Sequence, residues 1–316
     1  MVGLPFTSGD PAADRRASFA ETMADLGDWG AAAETLAGAL ERVPGWAAGW
    51  FRLGEYLSCA GQTEAAALAF ERAAEADPSD RLGAGLKRDL LLGAPLAETM
   101  PAAFVELLFD QYAPRFETSL VDKLNYRGPE VLWQALVQSG FRRAARALDL
   151  GCGTGLAGTV LRPYCGWLGG YDISAGMLAE GQAKGLYDLL EKRDIGELER
   201  STDRYDLIVA VDVFMYLGAL ERIIGWCAAS LSPQGRLAFT VELGSAPVQL
   251  RDSCRFAHSR DYVQGLMRDA GFAGLQITET VLRQDRGQDV AALCVVAAPL
   301  PLALDLEGDG EAPARV

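Results

Sequence analysis

Hydrophobic and polar positions follow two different rhythms in this chain, and the change falls near residue 100. Before it, small and apolar residues recur at a spacing of 34: Gly27 with Gly61, Ala32 with Ala66, Leu36 with Phe70, Ala39 with Ala73 and Pro44 with Pro78. That period belongs to a paired-helix repeat, in which small residues let two helices approach closely and a proline ends each pair. Two copies are legible, 13–46 and 47–80, and a capping helix is expected from Arg81 to Leu92. The second copy is the fuller one, with Trp50, Leu53, Gly54, Leu57, Gly61, Ala66, Phe70, Ala73 and Pro78 in place. About three stacked units are usually needed to bury such faces, so this array is expected to lean on the rest of the chain or on a second copy.

After residue 100 the pattern changes to short apolar runs that end in an acid. Ala147–Leu150 runs into Gly151-Cys152-Gly153-Thr154-Gly155, and helix-compatible Leu156–Leu161 follows. Strand, glycine loop and helix in that order make the ligand-binding carboxyl edge of an open α/β sheet. A second strand ends at Tyr171-Asp172-Ile173-Ser174, and a third acid and apolar pair stands at Asp194-Ile195. Tyr205–Asp212 reads as a fourth strand and Gly235–Glu242 as a fifth, entered from a Leu231-Ser232-Pro233-Gln234-Gly235 turn. An amphipathic helix is expected at Pro129–Gln138 and another at Asp261–Ala270.

The glycine cluster alone does not settle the ligand, because Gly153 to Gly158 also fits the dinucleotide pattern G-x-G-x-x-G. Asp149 discriminates. A carboxylate two residues before the first glycine repels a pyrophosphate but suits the ammonium of an amino-acid moiety. The bland reading is a tight turn capped by an aspartate. Asp172 has the placement to accept from two ribose hydroxyls, or to cap the helix that holds Met177.

Taken as a set, DLGCGTG, YDIS, RDI, YDLIVAVDV and LSPQGRLAFTVE resemble the class I S-adenosylmethionine-dependent methyltransferases over roughly residues 100 to 298, and the first part resembles tetratricopeptide repeats. The resemblance implies an α/β, seven-stranded Rossmann-like sheet of order 3-2-1-4-5-7-6, its seventh strand antiparallel, preceded by an all-α repeat domain. Leu275–Leu282 and Val290–Ala298, joined by Asp285–Gln288, would supply the closing hairpin. It also implies S-adenosylmethionine as cofactor, with Asp149, Gly151, Cys152 and Gly153 around its methionine part and Asp172 on the ribose. Ile173 and Met177 would lie against the adenine, and Asp194 with Ile195 at its edge. Asp212 would face the transferred methyl, while Phe214 and Tyr216 would line the acceptor pocket. In similar methyltransferases a segment like Leu108–Phe116 folds over the cofactor, making Tyr112 a candidate ligand and Arg115 a weaker one.

The domains expected are a flexible N-terminus at 1–12, tetratricopeptide-repeat helices at 13–93, a linker at 94–100, the methyltransferase domain at 101–298 and a disordered acidic tail at 299–316. His258, the one histidine of the chain, is the candidate general base, lying between the fifth strand and the helix that Ser259 would cap.

Charge narrows the partners. With 43 acidic against 29 basic residues the chain carries a formal charge of −14, which opposes nucleic acid as substrate. Residues 1–100 hold 15 acids and 8 bases, without a cationic cluster to grip a peptide carboxylate. A small-molecule acceptor is therefore preferred. The alternatives are a protein acceptor recruited by the repeats and a scaffold that binds cofactor without turnover. A nicotinamide oxidoreductase rests on Gly153 to Gly158 alone and is opposed by Asp149. Six cysteines without a C-x-x-C pair read as reduced thiols of a cytoplasmic protein, and no structural zinc site is expected. No apolar run reaches the length of a membrane span.

Overall fold

The computed structural model describes residues 7–93, 100–118, 120, 124–200, 202–251, 253–285 and 287–299. The expected linker at 94–100 and acidic tail at 299–316 therefore lie almost wholly outside the described residues, as do the first six residues of the expected flexible N-terminus.

The first half is helical. α1 (Pro11–Asp25) packs on α2 (Trp29–Leu40), α3 (Ala47–Cys59) on α4 (Thr63–Ala76), and α5 (Ala84–Leu92) closes the stack against α4. Asp10, inside the segment expected to be free of structure, caps α1 by accepting from the Ala12 and Ala13 amides. The residues that repeat in sequence repeat in place: Ala32 and Ala66 are fully buried, and so nearly are Leu36, Phe70, Ala39 and Ala73. Gly54 shows why small residues are needed, since a Cβ there would stand 2.7 Å from the Phe70 ring. Trp46 is buried in this core, and the Trp50 indole donates to the Pro44 carbonyl.

The second half is a sheet flanked by helices. β1 (Ala144–Leu150) lies between β2 (Cys165–Asp172) and β4 (Tyr205–Ala210), β3 (Leu189–Lys192) lies beyond β2, and β5 (Leu231–Leu243) beyond β4, all parallel. α7 (Gly128–Gln138) and α8 (Leu156–Leu161) cover one face through Leu132, Leu136 and Leu161. α10 (Glu221–Ser230) and α11 (Arg260–Asp269) cover the other through Ile223, Ile224, Val263 and Met267. Covering both faces explains why the central strands read as unbroken apolar runs.

The expected closing hairpin is present, Phe272–Asp285 with Gln288–Pro299, the latter antiparallel to β5, but the strand count and the far edge of the order need correction. Among the described residues the sheet has nine strands. The long strand β5 carries two neighbours on its far edge. Leu237–Glu242 pairs antiparallel with β9 (Gln288–Pro299), itself paired with β8 (Phe272–Asp285). At its carboxyl end, Glu242 and Leu243 pair parallel with β7 (Phe256–His258), which pairs with β6 (Val248–Leu250). This ribbon of two three-residue strands was too short to leave a period in the sequence, and it alters the edge of the sheet beside the site.

One small core joins the halves. Leu86 of α5, Met100, Val105 of α6 (Ala102–Tyr112), Met215, Tyr216, Leu250 and Phe256 pack together. The Met100 amide lies 3.4 Å from the Tyr216 carbonyl.

Candidate active site

β1 delivers Asp149 to the carboxyl edge of the sheet, and the chain then leaves through three glycines in the left-handed region, Gly151 (φ 65°), Gly153 (φ 53°) and Gly155 (φ 89°). At Gly151 the need is also steric: a Cβ would meet Val213 Cγ2 at 2.2 Å. At Gly153 a Cβ would meet nothing within 4 Å, so its surface is bare backbone turned to open space. A ligand can approach such a peptide closely.

Asp172, at the end of β2, ties the loop to the neighbouring turn. Its Oδ2 accepts from the Gly153 amide at 2.8 Å and its Oδ1 from the Ser174 amide at 2.9 Å. Each oxygen keeps a second lone pair for a further donor. Burial nevertheless raises its pKa, against the pull of those amides. Asp149 is more confined. It is 1% exposed, and burial pushes its pKa up to about 7 although the Tyr187 hydroxyl donates to it. Such a carboxylate favours a cationic partner, which would restore its ordinary acidity.

Asp149, Gly151, Cys152, Gly153, Asp172, Ile173, Met177, Asp194, Ile195, Asp212, Tyr112 and Tyr216 all line one cavity of about 1440 Å³. Asp194 has one oxygen on the Gly196 amide and so caps the single turn Ile195–Glu197. Tyr112 lines the cavity from α6 while remaining 47% exposed. Arg115 is exposed and is not among the lining residues. α6 and the residues after it are strapped across the opening. Asp110 accepts from Ser174 Oγ at 2.5 Å and from the Gly176 amide at 3.0 Å, Lys192 donates to Glu106 at 2.5 Å, and Glu117 binds both Thr154 and Lys184.

Two expectations are corrected by position. Phe214 does not line the cavity. β4 ends at Ala210, and Asp212 adopts φ 57°, so the chain turns earlier than expected and sends Phe214 onto Phe239 in the core. Val213 and Tyr216 face the cavity instead. His258 is not in the cavity either. It belongs to β7 and is fully buried; its Nε2 donates to the Gly218 carbonyl at 2.8 Å and its ring stacks on Tyr262. Burial lowers its pKa and holds it neutral. Ser259 does cap α11, accepting from the Tyr262 amide.

Other residues of the site carried no recognised signal. Tyr187 comes from the loop before β3, and its partnership with Asp149 crosses 38 residues. Arg283 is 1% exposed and bridges Asp212 and Glu242, at 2.5 Å to each. A register shift between Val281 and Arg283 in β8 turns this arginine inward beside buried Leu282. Glu55 of α3 and Lys87 of α5 also reach the cavity, so the helical half supplies part of its wall.

Residues 148–237 match the family model for a methyltransferase domain. The chain is 38% identical over 155 residues to methyltransferase-like protein 27 of Homo sapiens, a match covering 46% of this chain and 60% of that protein. It is 26% identical over 176 residues to a malonyl-[acyl-carrier protein] O-methyltransferase of Enterobacter lignolyticus, covering 54% and 68% of the two. The chain thus spans less than two thirds of the length of the first of these relatives. Among solved structures, the DhpI-SAH complex aligns with 61% of this chain and 94% of its own at 15% identity and a TM-score of 0.48. The matched segment contains the glycine loop, Asp149, Asp172 and Asp194, and Tyr216 within it lines the same cavity.

Proposed function

We propose that the chain is an S-adenosylmethionine-dependent methyltransferase acting on a small-molecule acceptor. The observation that carries this reading is the buried Asp149 beneath a glycine loop whose Gly153 amide is held by Asp172, all opening on one cavity with Asp194. Asp149 would hold the cofactor's ammonium, Asp172 its ribose hydroxyls, and Ile173, Met177 and Ile195 its ring. When bound, S-adenosylmethionine supplies a methyl group on a positively charged sulfur. The residues of the chain align and desolvate: Val213, Tyr216 and Asp212 shape the place the acceptor enters, and the straps from α6 exclude water.

The cavity volume supports a second ligand, since single small-molecule sites span about 300–1,000 Å³. Tetratricopeptide-type helices at 13–93 would wall that space, followed by the methyltransferase domain at 101–298. A protein acceptor recruited by these helices is the alternative, and a cytoplasmic location fits cysteines that form no disulfide among the described residues.

Calorimetric titration of the chain with S-adenosylmethionine, S-adenosylhomocysteine and NADH tests the reading. Binding of the first two, weakened in Asp149→Ala and Asp172→Ala, is expected; binding of NADH alone overturns it.

A further inference from the structure

Glu242 lies near the end of β5 at 2% side-chain exposure and is met by three guanidiniums, Arg283 at 2.5 Å, Arg251 at 2.9 Å and Arg255 at 3.9 Å. Asp212 takes the other side of Arg283 at 2.5 Å. Among the described residues this cluster sets three cations against two carboxylates, leaving one positive charge in surplus. The surplus has a location. Arg283 is locked between both acids, and Arg251 also donates to the Leu243 carbonyl. Arg255 holds Glu242 most loosely, and it alone of the three lines the cavity. Ser253, Cys254 and Tyr216 line the cavity with it, and Met100, Phe104 and Val105 give it an apolar wall.

We propose that Arg255, with the Tyr216 hydroxyl, forms a carboxylate-binding subsite, so that the acceptor is an apolar molecule carrying one carboxylate. The inference rests on the methyltransferase reading and names the class of its substrate. A guanidinium presents paired N–H donors that match a planar carboxylate. One negative charge balances the surplus, whereas a doubly charged phosphomonoester overshoots it and meets the buried acids behind. Tyr216 stays protonated, because burial raises its pKa against the pull of Arg255, and it remains a donor to an anion.

The test uses the full chain saturated with S-adenosylhomocysteine and measures dissociation constants for octanoate, phenylacetate and cinnamate, each beside its carboxamide, with phenyl phosphate as the dianion. The acids are expected to bind about tenfold or more tightly than the amides, as a charged hydrogen-bonded contact gives. Arg255→Gln is expected to erase the difference and Arg255→Lys to keep part of it. Acids binding no better than amides, no measurable binding of any acid, tighter binding of phenyl phosphate, or a preference that survives Arg255→Gln overturns the subsite. The wild-type comparison of acid with amide decides the matter even where a variant fails to fold. Failure of S-adenosylhomocysteine itself to bind the wild type overturns the methyltransferase reading and the subsite with it.

Discussion

The Tyr187 hydroxyl donates to Asp149 Oδ2 at 2.7 Å, giving the deepest carboxylate of the site a neutral partner and no cation among the described residues. Burial therefore holds Asp149 protonated up to about pH 7. Between the ordinary carboxylate range and pH 7, the folded chain keeps a proton that the unfolded chain has lost. Its stability accordingly falls as pH rises through that window and is level above it. Asp172, also raised, adds to the slope. The urea midpoint of the wild type minus that of Asp149→Asn should fall from pH 4 to 8, a difference that cancels the opposite slope from His258. S-adenosylhomocysteine should bind the wild type more tightly at pH 8 than at pH 6, and Asp149→Asn weakly at both. Affinity independent of pH in the wild type argues against an ammonium on Asp149.

Gly151→Ala should be among the most damaging single-methyl additions in the chain. It combines a left-handed backbone with a Cβ pressed 2.2 Å from Val213. We expect a loss of at least about 2 kcal/mol and no measurable cofactor binding. Gly153→Ala meets no atoms, so it should lose less stability while still impairing binding.

Removing Arg283 takes the guanidinium from Asp212 and leaves Glu242 to Arg251 and Arg255. Arg283→Met should cost about 3–5 kcal/mol, and pairing it with Glu242→Gln should restore part of the loss. Both are read by chemical denaturation. An undamaged single variant would show that the acids find other partners.

His258→Gln should leave S-adenosylhomocysteine affinity where it was and lower stability by about 1–3 kcal/mol, because the ring bonds the Gly218 carbonyl away from the cavity. Burial depresses its pKa, so the wild type loses the corresponding stability as pH falls below the ordinary histidine value, and the variant does not. A loss of cofactor affinity in His258→Gln would restore a role for this residue in the site.

That three acids share the strand-edge side of the cavity was legible, because they sit at or just past the ends of strands, where sequence position and spatial position coincide. Asp149, Asp172 and Asp194 needed only a strand period and a turn. The opposite side was not. Phe214 was misplaced because Asp212 turns left-handed, an event that an Asp-Val-Phe stretch does not announce. Arg283 was missed because a bulge, invisible as a period, reverses the side of β8 it occupies. His258 was read as a loop base because three-residue β7 has no alternation to recognise. The long-range pairings, Tyr187 to Asp149 and Arg283 to Glu242, belong to the tertiary fold and carry no local spacing.

Glu55 and Lys87 stand in the same cavity as the glycine loop. Exchanging the helices for those of another chain would therefore redraw the size and charge of that cavity while leaving its glycine-loop floor intact. A protein built this way can change what its cavity admits by substitutions some hundred residues away from the strand edges, and chimeras made at the junction near Met100 would be the route to a new ligand range.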